Sequence, residues 1–244
     1  MGEKMFRKIA LGLLLLLSCV GYCQSEEEQD LMFSVGVLSV QMQRLMGGDT
    51  TDKSDVFPKT KSGLLLQGVY RSALKQVVRD AFVTRKIMAD QFLELVEGSF
   101  NSSPKAGLKA LAKITHTFSL AKQAYVRDMK SMRELLEFQD DDSVAMRNFK
   151  AGAKNGFLES QQQLGGKDPY TLNLIYLSKW EDAFHFLDQH RDADLTEAKL
   201  QAAWFQKQDA IDKASKALDD YDAMRGQKLK KFKEQGIGVS PSSG

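Results

Sequence analysis

The residues best spaced for chemistry are Glu181, His185 and Asp188, four and three positions apart. On a helix that spacing puts the side chains on one face, where they could offer two or three ligands to a divalent metal. Trp180, Phe184 and Leu187 lie beside them as a buried stripe would, which makes the charged trio the solvated side of the same helix. The solvated side is the preferred reading, so Glu181, His185 and Asp188 stand as weak candidates and no metal is expected. His190 is five beyond His185 and does not share that face.

Other groupings carry less. Asp192, Asp194 and Thr196 are similar to the opening of an EF-hand calcium loop, but Glu197 stands where the turn needs glycine and Ala203 where it needs the closing glutamate. Asp140, Asp141 and Asp142 could hold calcium; they fit better as the dipole and cap partners of the helix that follows. No cysteine follows Cys23, no serine sits in a glycine-flanked elbow, and no glycine-rich loop joins a strand to a helix. No catalytic residue and no cofactor is therefore predicted, and nothing argues for an enzyme. Lys228, Lys230, Lys231 and Lys233 around Phe232 could meet an anionic lipid, although a basic helix end complements its own dipole equally well.

The chain opens with Lys4, Arg7 and Lys8, an apolar run from Ile9 to Leu17, and a small, polar segment from Ser18 to Ser25. This is the order of an export signal over 1–23, and the run is far shorter than the roughly 20 residues of a membrane span. Cleavage after Cys23 would leave Gln24 first. Alternatively, Leu16-Leu17-Ser18-Cys19 resembles the bacterial lipoprotein box, which would make Cys19 the lipidated first residue; Val20 is an unusual neighbour for it. The predicted location is extracytoplasmic, secreted or periplasmic, with tethering through Cys19 as the alternative. From Gln24 onward there is no cysteine and hence no disulfide, which favours a bacterial envelope. Asn101-Ser102-Ser103 would be a glycosylation acceptor only in a eukaryote.

The 43% hydrophobic and 27% charged residues are ordinary for a water-soluble domain. The formal charge of +2 comes from three bases and one acid in the leader, so the remainder is neutral. A general basic field for nucleic acid is excluded.

Six helical patterns account for residues 24–235. The first runs from Glu27 to Met46, with Leu31, Val35, Leu38, Met42 and Leu45 on one stripe and Phe33, Val37 and Val40 off it. The second runs from Leu64 to Glu97. A third starts at Pro104, capped by Ser103, and reaches Phe138. The fourth covers Ser143 to Leu164 with Val144, Phe149, Ala153 and Phe157 as its apolar side, and the fifth follows the Asp168 cap and Pro169. The sixth, Leu195 to Gln235, is about 60 Å long at 1.5 Å per residue, and the rest is expected to be organised around it. Gly47 to Gly63 reads as a loop or connector and 236–244 as a disordered tail.

The predicted fold is all-α: a single elongated antiparallel helical bundle with long, coiled-coil-like helices. No family is recognisable in these residues. The function expected is that of an exported structural or protein-interaction module, with Phe33, Val37 and Val40 as contact residues because a helix apolar on two sides needs a second neighbour. The alternative is a carrier of lipid or another apolar ligand. The expected partner is another protein, or a lipid or membrane surface, and not nucleic acid.

Overall fold

The computed structural model describes residues 25–83, 92, 103–163 and 168–234, the side chains of 156–163, 225 and 228–234 excepted. The described residues form six α-helices and no strand: α1 (Glu26–Met46), α2 (Lys61–Asp80), α3 (Pro104–Leu135), α4 (Val144–Gln163), α5 (Pro169–Gln189) and α6 (Ala198–Glu234). A 3-10 turn lies at Ser54–Val56. The leader, Cys19, Asn101, the end of the second pattern and the tail from 236 lie outside the described residues.

The helix starts have local causes. At α1 the Glu28 amide donates to Ser25 Oγ while the Ser25 amide donates back to the Glu28 carboxylate, a capping box that sets the start one residue earlier than expected. Ser103 accepts from the Ala106 amide ahead of α3, and Asp168 from Thr171 ahead of α5, both with proline in the first position as expected. Ser143, and not an aspartate, caps α4 by accepting from the Met146 amide. Asp194 spends its carboxylate on the amide and hydroxyl of Thr196, a turn of its own, so α6 begins at Ala198 and not Leu195.

The described residues divide into two compact units, 25–77 with 128–163 and 223–234, and 78–83 with 92, 103–127 and 168–222. In the first unit the whole predicted stripe of α1 is buried and α1 packs on α4. Leu66, Tyr70 and Leu74 of α2, Met129 and Met132 of α3, and Met146 and Phe149 of α4 are buried in the same unit. Val144, expected on the apolar side of α4, is 75% exposed. Five residues separate it from Phe149, a rotation of about 140° around the helix.

The connector from Gly47 is pinned. Tyr70 Oη donates to the Thr51 carbonyl (3.1 Å) and accepts from the Lys53 amide (3.2 Å), Gln67 donates to the Ser54 carbonyl, and Arg71 to Ser54 Oγ. Phe57 is buried with its ring 5.7 Å from that of Tyr70. Thr60 accepts from the Gly63 amide and starts α2 inside the expected loop. A Cβ at Gly63 would lie 2.2 Å from the Pro58 carbonyl oxygen, so only glycine fits this close approach.

In the second unit α5 takes the central place that the sequence pattern assigned to the last helix. Tyr170, Leu177 and Phe184 pack with Leu111, Ile114 and Phe118 of α3, while Tyr176 and Ala183 pack with Ile211 of α6. Trp180 and Phe92 touch both clusters. Along α6, Trp204, Ala214 and Leu218 are half-buried beside Ile211.

Candidate functional site

The α1 helix is apolar on two sides, and the core covers one of them. Phe33 is 63% exposed and Val40 52%, with Val37 half-buried between them. Gly36 is exposed beside them, and a Cβ added there would meet nothing within 4 Å. Packing inside this chain therefore does not explain a glycine that costs mid-helix stability of about 0.5 to 1 kcal/mol relative to alanine. The stripe continues to Glu26 and Asp30 at one end and Arg44 at the other. Arg44 donates through Nε and Nη2 to Asp49 (3.1 and 2.7 Å). Hydrogen bonds from Thr51, then Arg44, lower the Asp49 carboxyl to about 2.

The proposed metal trio is only partly brought together. Glu181 Oε1 and His185 Nε2 are 3.9 Å apart on an exposed face, but Asp188 accepts from Arg191 at 2.7 Å. That neighbour, three residues on at the helix end, competes for the carboxylate. Among the described residues no three His, Cys, Asp or Glu converge as metal ligands. His116 is exposed, and His190 ends α5 with Nδ1 2.9 Å from the Phe186 carbonyl oxygen and its ring 4.4 Å from that of Phe186.

Sequence reasoning missed a polar cluster at the α3–α4 corner. The Asp142 side chain is fully buried, and it accepts from Lys150 Nζ (2.7 Å) and the Gln139 amide (2.8 Å), with Lys61 Nζ 3.2 Å away. Burial pushes this carboxyl up, but the Gln139 amide, Lys150 and Lys61 outweigh it and hold it at about 2. Lys150 also donates to the Glu137 carbonyl (2.9 Å), so its charge is doubly satisfied. Asp141 pairs with Lys61 in the open, which raises the lysine and lowers the aspartate. The acidic run thus fastens a corner; the cap belongs to Ser143. The signal available was Lys150 itself, a charge on the turn of Met146 and Ala153 within an apolar stripe.

Tyr170 makes the corresponding polar contact in the second unit, donating to Asp80 Oδ1 at 2.5 Å. Burial first, then the negative charge of Asp80, raises its phenol well above the usual range, so it is a fixed donor and not a proton shuttle near neutral pH. The aromatic side chains a carrier would use pack on one another: Phe92 on Tyr176 and Trp180, Trp180 on Phe184, Phe186 on Trp204.

The side chains of Lys228 to Lys233 lie outside those described. No described helix is long and apolar enough to cross a membrane. What the geometry defines is an all-helical protein with an uncovered apolar face on its first helix. Comparison with family models, curated proteins and solved structures finds no match to this chain.

Proposed function

We propose that this is an exported all-helical protein that works through its surface as a structural or protein-interaction module, with the outer face of α1 as its contact surface. The observation that carries this reading is the exposure of Phe33 and Val40 on a helix whose opposite stripe is fully used by the core. A contiguous apolar stripe left in water costs solubility unless a partner covers it. The finer architecture in this reading is an antiparallel bundle of long, coiled-coil-like helices. It is supported by Gly68 lying against Leu135 and Gln76 donating to Met129 Sδ, pairs whose residue numbers rise on α2 as they fall on α3. Export, to a secreted or periplasmic location or to a tether at Cys19, rests on the order of charges and apolar residues in 1–23.

The test is the double variant Phe33→Glu/Val40→Glu. Both changes are at the surface, so its melting midpoint and helical circular dichroism should match the parent. Proteins captured by the parent from its native envelope should be lost by the variant. Equal capture by both would remove α1 from the contact surface.

A further inference from the structure

The uncovered face of α1 has a spacing that names its occupant. Glu26, Asp30, Phe33, Val37, Val40 and Arg44 follow one another at steps of four, three, four, three and four, the seam of a coiled coil. Each is exposed or half-buried, whereas the core stripe lies on the opposite side of the helix. The charges on the seam are polarised, acidic at the N-terminal end and basic at Arg44.

Two antiparallel helices related by a twofold axis keep the sum of facing residue numbers constant. When Phe33 faces Val37 of another copy, Val40 faces Asp30 and Arg44 faces Glu26. One register therefore places aromatic on aliphatic at the centre and acid on base at both ends. A parallel pair would set Glu26 on Glu26 and Arg44 on Arg44, which repels, and would align the two helix dipoles unfavourably. We propose that α1 pairs antiparallel with α1 of a second copy of this chain through this self-complementary seam, an isologous contact.

Arg44 can serve both carboxylates. Asp49 takes Nε and Nη2, and a guanidinium has five donors, so the Nη1 side can meet Glu26 while Asp49 holds the plane in position. Asp30 opposite Val40 is the weak layer of the seam. A single helix face also buries far less than the roughly 1,600 Å² of a standard stable interface, so the dimer forms reversibly with concentration. The proposal rests on the contact-surface reading above and narrows it to one partner.

The experiment uses the full chain with Cys19→Ser and Cys23→Ser, which leaves no other cysteine. Glu26→Cys and Arg44→Cys are made singly and together. Eighteen residues along one helix separate them by about 27 Å, so a bond within one chain is impossible. The double variant, and an equal mixture of the two single variants, should oxidise to a covalent dimer several-fold faster than either single variant alone. Phe33→Glu should abolish the difference. Lys213→Cys on exposed α6 measures random collision. Cross-linking no faster than that control, or faster in the single variants than in the mixture, overturns the proposal. If the parent sediments as a monomer at every concentration while Phe33→Glu/Val40→Glu still loses a captured protein, self-pairing falls and the contact-surface reading survives; if capture is also unchanged, both fall.

Discussion

Among the described residues, buried polar or charged side chains number seven in the first unit, Ser34, Gln41, Ser54, Ser62, Gln76, Asp142 and Lys150, against Asn173 in the second. Ring contacts run the other way: Phe57 with Tyr70 in the first, and Phe92, Tyr125, Tyr170, Tyr176, Trp180, Phe184, Phe186, His190 and Trp204 in the second. Ring pairs add about 0.5 to 1.5 kcal/mol each beyond burial and tolerate a range of angles. A buried charge tolerates almost no misplacement, since losing its partner leaves the full cost of desolvation. The first unit thus has its register set by the directional contacts of Asp142, Lys150, Gln76 and Ser54, and the second gains stability from area. The Ser34 and Ser62 hydroxyls and the Gln41 side-chain carbonyl oxygen are buried with no hydrogen-bond partner among the described residues. The uncovered face of α1 belongs to the unit that is held in register.

Phe118→Ala should have the largest effect, because it empties a fully buried ring site: a loss of about 3 to 5 kcal/mol in urea unfolding. Hydrogen exchange should rise most in α5. An equal rise in α1 and α4 would mean that the two units do not respond separately, and the contrast would break.

Lys150→Met should cost on the order of 3 kcal/mol by leaving Asp142 buried with the Gln139 amide and Lys61 as its remaining partners, and exchange should then rise most in α1 and α4. It should also change the pH dependence. The folded state holds the Asp142 proton only near pH 2, whereas the unfolded chain takes it up near 3.8. Between those values the unfolded state binds more protons, so the contribution is complete above about pH 4 and is lost as pH falls towards 2. The loss of stability between pH 5 and 2.5 should be shallower in Lys150→Met and unchanged in Phe118→Ala. Equal slopes in all three proteins would remove the ion pair as the source of the difference.

Tyr70→Phe is the smallest of the three. It keeps the ring against Phe57 and removes the hydroxyl that meets Thr51 and Lys53, for about 1 kcal/mol. Limited proteolysis between Gly48 and Pro58 should quicken. No change there would mean that Gln67 and Arg71 hold the connector without it.

Much of the helical framework was legible because its signals are short-range. Ser103-Pro104 and Asp168-Pro169 start helices where expected, and the stripe of α1 is buried at every expected position. Phe33 and Val40 were legible as misfits to that stripe and are exposed; Val37, read with them, is half-buried. The sixth helix starts three residues later than its pattern because Asp194, two residues before Thr196, satisfies itself locally before any helix begins. By its spacing Tyr70 is only one more apolar position of the second pattern, although its hydroxyl holds a connector 17 to 19 residues away. Asp142 and Lys150 gave no pairing signal, since eight residues apart along a chain they meet only once the corner after α3 has turned.

From the residues alone follow the six helices of the described chain and most of their ends, because a 3.6-residue period and its breakers act within a few positions. Only the tertiary structure decided that α5 is buried on two sides, that a lysine and an aspartate share one core, and that the contacts gather into two units. Each of those depends on which surfaces meet, and a helix period records that a residue faces inward without recording what it faces.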